Sequence, residues 1–203
     1  MTKSDWKWLI VLGLLISWFC INPLGAEGKT IKEVVKQAQE RCVFVRTLNG
    51  QGSGVIIGRN LVLIPFHLFE FNSPIWVNGV IASIVTVSPV GDLALLKVDV
   101  KNFDPPTFGK VEVANTIFYV GSPLGLQCSV VFGRVVAIDE NVVYTSAIPQ
   151  PGFSGSAIWS LDGDFIGIMN QMRGDKIGGW FSIGILADKI KMFLVHANQE
   201  TRQ

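Results

Sequence analysis

Leu93-Ala94-Leu95-Leu96-Lys97-Val98-Asp99-Val100-Lys101-Asn102-Phe103-Asp104-Pro105-Pro106 is the stretch that decides the fold. It opens as a short apolar run bounded by turn residues, the mark of a buried strand rather than a helix. It closes on a double proline, which removes two backbone donors and favours a break between structural units. Upstream, Val43–Thr47, Gly54–Ile57, Leu61–Ile64 and Val80–Val87 are Val- and Ile-rich runs separated by Gly, Asn, Pro and Asp. Downstream, Thr116–Val120, Ser129–Ile138, Val142–Ser146, Ser156–Trp159, Phe165–Met172 and Phe181–Leu186 form a second series. The plan is about six strands, a linker, and about six strands. An all-β fold of two six-stranded antiparallel β-barrels satisfies it, because barrels leave few exposed edges. The first would cover about 42–103 and the second about 107–186.

Helical spacing returns only at the ends of this plan. Thr30-Ile31-Lys32-Glu33 is a capping-box pattern, and Ile31, Val34, Val35 and Ala38 follow on one face, predicting a short amphipathic helix within 27–41. Ile190, Phe193 and Leu194 predict a C-terminal helix over about 187–197. Trp8 to Ala26 is uncharged and follows Lys3 and Lys7, and its strongly apolar part is broken at Asn22-Pro23 before Gly25-Ala26. Residues 1–26 therefore read as a signal peptide, or as an uncleaved anchor attached to a membrane through 8–24. Either reading puts the remainder outside the cytoplasm, in a periplasmic or extracellular setting.

The chain of 203 residues carries 17 Lys plus Arg against 16 Asp plus Glu, a net charge of +1. That balance gives no electrostatic case for nucleic acid as a partner. Cys20 lies in the leader, leaving Cys42 and Cys128 either to pair or to sit as buried thiols.

The chemistry concentrates in Gln150-Pro151-Gly152-Phe153-Ser154-Gly155-Ser156-Ala157. A serine hydroxyl becomes a nucleophile only beside a base, with donors ready for the oxyanion that forms. Flanking glycines allow a sharp turn in which the Gly152 and Ser154 amides point at one oxygen. Alone, such a stretch is an ordinary Gly/Ser turn. A base is available, however. Of the two histidines, His196 falls on the terminal helix, whereas His67 in Leu63-Ile64-Pro65-Phe66-His67-Leu68 stands where an apolar strand ends at a proline. Asp92 stands at the mouth of another apolar strand, where an unpaired carboxylate would be costly. His67, Asp92 and Ser154 together make a triad of base, orienting acid and nucleophile.

These segments resemble the trypsin-like peptidase superfamily, and within it the HtrA (Deg) proteases and the V8-type glutamyl endopeptidases. Gly52-Ser53-Gly54-Val55-Ile56-Ile57 resembles the strand before the catalytic histidine of HtrA proteins. Asp92-Leu93-Ala94-Leu95-Leu96-Lys97 resembles their aspartate segment, and Gly121-Ser122-Pro123-Leu124-Gly125-Leu126 their Gly-Asn-Pro-Phe-Gly loop. Pro151-Gly152-Phe153-Ser154-Gly155 resembles the nucleophile segment, and Phe165-Ile166-Gly167-Ile168 the strand after it. The resemblance implies a serine endopeptidase acting on protein or peptide substrates through an acyl-enzyme, with no metal or cofactor. His67 would be its general base and acid, Asp92 the orienter, Ser154 the nucleophile, and the Gly152 and Ser154 amides the oxyanion hole. It also implies HtrA-like quality control and a homo-oligomer, a trimer by family habit.

Three departures mark this chain: Phe153 where HtrA proteins usually have Asn, Ser156-Ala157 in place of Gly-Pro, and Pro65-Phe66 before the histidine. The chain also ends where HtrA proteins continue into a PDZ domain, so PDZ-dependent regulation is not expected. By resemblance the primary pocket involves Ile148, Asn170, Met172 and Phe181. None is acidic, so cleavage after Lys or Arg is not expected, and an apolar pocket for a small or medium side chain is. The rival reading is a catalytically inactive copy of the fold that serves as a binding or chaperone module at the membrane.

Overall fold

Strands that lie between two layers lose the alternation of a half-exposed sheet and become apolar on both faces. That is the texture of Gln51–Gly58 (β2), where every residue after Gln51 is buried. In the computed structural model, which describes residues 28–69, 73–148, 150–174 and 180–200, β2 faces its own barrel on one side and a second barrel on the other. Cys42–Arg46 (β1), β2, Leu61–Ile64 (β3), Ile75–Val77 (β4), Val80–Ser88 (β5) and Leu93–Lys97 (β6) close the first barrel in the order β1-β2-β3-β6-β5-β4. Thr116–Gly121 (β7), Ser129–Asp139 (β8), Val142–Thr145 (β9), Ala157–Ser160 (β10), Phe165–Gly174 (β11) and Trp180–Leu186 (β12) close the second. Its order, β10-β11-β12-β9-β8-β7, is that of the first barrel counted from its own first strand. All the neighbouring strands run antiparallel.

The period-two rule then sorts side chains into three cores. Val43, Val45, Val62, Ile64, Ala94 and Leu96 fill the first barrel. Ile117, Tyr119, Val143, Phe153, Ile158 and Ile166 fill the second. The opposite faces of the same strands, Val55, Leu63, Leu95, Phe118, Val120, Trp159, Phe165 and Ile168, join the barrels in one further cluster. Two helices cover this cluster: Ile31–Glu40 (α1) through Val34 and Ala38, and Ala187–Glu200 (α2) through Ile190 and Ala197. β4 and β5 meet at Asn78-Gly79, both with positive φ (49° and 84°), as a two-residue hairpin loop of the primed type requires.

The two-barrel expectation therefore holds, and so do both helices. β4 escaped the sequence reading because three residues are too few to establish a period. The expectation of a transmembrane segment is corrected: among the described residues no helix is long and apolar enough to cross a membrane. Residues 1–26, on which the signal-peptide and anchor readings rest, lie outside the described residues.

Leu96 is fully buried in the first barrel. Leu96→Ala should lower the unfolding free energy by about 2–5 kcal/mol, the cost of lost transfer energy plus a cavity, measured as a shifted denaturant midpoint.

Candidate active site

Pro65 ends β3 in an extended conformation (φ −65°, ψ 143°) and the chain turns at once into a single 3-10 turn, Phe66–Leu68. Leu68 N–H donates to Pro65 O at 3.3 Å and Phe69 N–H to Phe66 O at 2.7 Å. His67 thus stands on a closed turn beyond the strand end. Asp92 lies just before β6 with φ 52°, a left-handed conformation that Asp tolerates better than most residues. Its carboxylate grips His67 at two points. Oδ1 accepts the His67 backbone N–H at 2.8 Å, and Oδ2 lies 2.8 Å from Nδ1. A carboxylate only accepts, so this contact places a proton on Nδ1 and leaves the Nε2 lone pair open in the neutral ring. The His67 side chain is 42 % exposed and that of Asp92 22 %, so the pair sits at a surface cleft.

The segment from Gln150 to Ser156 is two consecutive tight turns. Phe153 N–H donates to Gln150 O at 3.0 Å, with Pro151 second and Gly152 (φ 92°) third, the residues a type II turn demands. Ser156 N–H then donates to Phe153 O at 2.8 Å, with Ser154 second and Gly155 (φ 87°) third. Phe153, the residue that departs from the HtrA pattern, is 1 % exposed and lies beside Tyr119 in the second core, ring centroids 6.1 Å apart. An apolar ring here anchors the turn pair into the barrel.

Three other elements fix these turns. Gly155 N–H donates to Met169 O at 2.7 Å, and Leu124 N–H to Pro151 O at 2.8 Å. From β2, Ser53 N–H donates to Ser154 O at 2.7 Å. The Ser53 hydroxyl donates to Gly152 O at 2.8 Å while accepting the Ser122 N–H at 2.8 Å. Ser53 is completely buried, so these bonds are made away from water. Among the described residues the amides of Gly152 and Ser154 have no internal acceptor and remain available to a ligand. The Ser154 hydroxyl donates to Asn170 O at 3.2 Å, and no hydrogen bond joins it to His67. Asn170 is the bulged residue between β11 and β12, where the register shifts between Met169 and Gln171.

A cleft of about 400 Å³ brings together His67, Asp92, Gly152, Ser154, Asn170 and Met172. Gln150, Pro151, Met169 and Gln171 complete its lining. Two expected pocket residues are elsewhere. Ile148 is 66 % exposed and does not line the cleft, nor does Phe181, which is 42 % exposed and pairs with Arg173 on the β11–β12 ribbon. Among the described residues no three His, Cys, Asp or Glu side chains gather as a metal site would require. Ser53 was missed as a site residue. Its signal was the Gly52-Ser53-Gly54 run inside a buried strand, since small residues there mark a close approach of another backbone. A Cβ on Gly52 would collide with Leu68 and come to 3.0 Å from the Ser154 carbonyl.

Two closed barrels with a histidine–aspartate pair and a glycine-flanked serine on one cleft define a trypsin-like serine peptidase domain. The family described as "Trypsin-like peptidase domain" matches residues 52–168, and the chain belongs to it. Among curated proteins it is similar to a "Probable periplasmic serine endoprotease DegP-like" of Chlamydia muridarum, 28% identical over 175 residues, covering 75% of this chain and 35% of that protein. A protein of the same description from Halomonas elongata is 32% identical over 149 residues, covering 65% and 31%. The chain therefore spans about a third of the length of these relatives. The crystal structure of a serine endoprotease from Yersinia pestis shares the fold, with a TM-score of 0.75 at 23% identity, covering 85% of this chain and 68% of that one. The homology is to HtrA/DegP-type serine endoproteases.

A Cβ on Gly155 would strike the Ser53 carbonyl at positive φ, whereas one on Gly79, with φ 84°, meets open space. Gly155→Ala should therefore cost about 3 kcal/mol or more and Gly79→Ala only about 1 kcal/mol, compared by thermal or urea unfolding.

Proposed function

We propose that the chain is a serine endopeptidase in which Ser154 is the nucleophile, His67 the general base and acid, and Asp92 the group that orients His67. The observation that carries this reading is the two-point hold of Asp92 on His67 at the edge of the cleft that the Ser154 turn enters. In this reading the Ser154 hydroxyl leaves the Asn170 carbonyl and turns to Nε2. His67 then removes the hydroxyl proton as Oγ attacks the peptide carbonyl carbon. The carbonyl oxygen becomes an oxyanion within reach of the Gly152 and Ser154 amides, whose alignment costs nothing at the moment of reaction because the turns already hold it. His67 gives the proton to the leaving amine, and the acyl-enzyme is hydrolysed by a water that His67 deprotonates in turn. Asp92 stabilises the imidazolium throughout.

Substrate preference follows from the lining. Among the described residues Asp92 is the one carboxylate lining the cleft, and it is engaged with His67, so Lys or Arg side chains find no free counter-charge among them. Met172, 45 % exposed, offers adaptable apolar contact instead, which favours small or medium apolar side chains. Exposed or unfolded segments of proteins are the substrate class, and the periplasmic relatives point to a working site outside the cytoplasm.

A fluorophosphonate probe should label the wild type and leave Ser154→Ala unlabelled, and His67→Ala should abolish casein cleavage. Asp92→Asn should lower kcat/KM by roughly 10³–10⁴-fold through the wrong imidazole tautomer. A wild-type protein that gives a native near-UV spectrum yet takes up no probe would leave a binding module as the only reading.

Ser53→Ala removes the donor to the Gly152 carbonyl and loosens the peptide that lies between the two proposed oxyanion amides. It should lower kcat by roughly 10–100-fold with KM within about threefold, measured on a short chromogenic peptide. Equal kcat with a reduced Tm would assign Ser53 a purely structural part.

A further inference from the structure

Cys42 opens β1 directly after α1, and Cys128 ends the loop that leads from β7 into β8. The fold brings these distant positions together where the first barrel meets the second. Cys42 is buried in the cluster that joins the barrels, and Cys128 packs, half-buried, against the same cluster. One turn before Cys42, the Gln39 side chain donates from Nε2 to Cys128 O at 2.9 Å and ties the loop to the end of α1. Cys128 N–H donates to Ser122 Oγ at 3.4 Å. Cys128 thus packs against the cluster that holds Cys42, with its backbone tied to Gln39 on one side and to Ser122 on the other. Both are free thiols here.

We propose that Cys42 and Cys128 are a disulfide-forming modification site, oxidised by thiol–disulfide exchange with a small-molecule disulfide, and that the bond staples the Ser122–Cys128 loop to the start of β1. The two thiols divide the labour. Cys128 is the more exposed, and its hydrogen bond with Cys42 holds it below the ordinary thiol value against the effect of burial. The same contact, with burial behind it, pushes Cys42 up. Cys128 thiolate therefore attacks the external disulfide R–S–S–R, forming Cys128–S–S–R and expelling RS⁻, which takes the proton Cys128 had lost. Cys42 then loses its proton and attacks the Cys128 sulfur, expelling a second RS⁻ that takes that proton. Two protein thiols have been oxidised and one disulfide reduced to two RSH.

The stapled loop supports the nucleophile turns. Leu124 N–H holds Pro151 O, and Ser122 N–H holds the Ser53 hydroxyl that holds Gly152 O. Two non-glycine residues of the same loop, Leu124 (φ 50°) and Cys128 (φ 52°), sit in the left-handed region, a conformation that needs outside support to persist. A covalent tie at Cys128 supplies it.

The test treats the folded chain with oxidised glutathione, blocks remaining thiols with iodoacetamide and digests with trypsin without reduction. The expected product joins the 42–46 peptide to the 111–134 peptide, and Tm rises by roughly 5–10 °C over the dithiothreitol-treated protein. In Cys42→Ser the Cys128 glutathione adduct should accumulate, because the resolving thiol is gone. Should that variant not fold, Cys128→Ser, at the more exposed position, should show neither the joined peptide nor the Tm rise. A wild type that keeps a glutathione adduct on Cys128 with Cys42 alkylated overturns the proposal, as does a cross-link of either residue to Cys20. A joined peptide with unchanged Tm overturns the staple.

Discussion

Each barrel closes its own sheet and fills its own core, so nothing in the folding of either one sets His67 and Asp92, from the first, opposite Ser154, from the second. The seam that does so is one residue wide. Ser53 on β2 uses its amide for the Ser154 carbonyl and its hydroxyl for the Gly152 carbonyl and the Ser122 amide. Around it the surroundings are dry, and Ser53, Ser122 and Ser156 are all fully buried. In such a place a misplaced donor or acceptor costs its full desolvation, about 1–3 kcal/mol, whereas a satisfied one contributes only about 1 kcal/mol. The seam therefore acts chiefly by penalty: it excludes other alignments of the barrels more than it rewards this one.

Attraction between the barrels comes from elsewhere. The cluster built on Val55, Leu63, Leu95, Phe118, Val120, Trp159 and Phe165 removes large apolar surfaces from water but is tolerant of small slides, since hydrophobic contact is non-directional. Trp159 and Phe165 meet edge to face, centroids 5.4 Å apart, and Phe108 meets Phe165 in the same manner at 5.5 Å, which narrows that tolerance. Apolar burial brings the halves together and the Ser53 bonds choose the register.

That division explains what could be read from the sequence. Continuous Val and Ile runs, such as Gly54–Ile57 and Leu93–Val98, announce strands buried on both faces, and Asp104-Pro105-Pro106 lies between β6 and β7. His67, Asp92 and Ser154 were legible as candidates because a histidine at a strand end, a costly carboxylate and a glycine-flanked serine are unusual residues in their settings, and the fold gathers them on one cleft. Phe181, on β12, lies outside the cleft lining for a different reason. Which side chains of the β11–β12 ribbon enter the cleft depends on the bulge at Asn170, and a register shift leaves no local trace in composition. Ser53 was invisible as a site residue because its partners are backbone groups contributed by distant segments. Phe153 looked like a defect against the HtrA pattern, and only the position of Tyr119 reveals it as an anchor.

The bulge at Asn170 also decides where the Ser154 hydroxyl rests. A regular ladder would commit the backbone groups of this residue to β12, but the shifted register leaves its carbonyl turned to the cleft, where the Ser154 hydroxyl settles at 3.2 Å. A neutral bond of that length sits at the long edge of the useful range and contributes at most about 1 kcal/mol. Leaving it therefore costs the hydroxyl little. The turns with their left-handed glycines and the Asp92 hold on His67 are assembled during folding, whereas the Ser154 hydroxyl is held by this one bond.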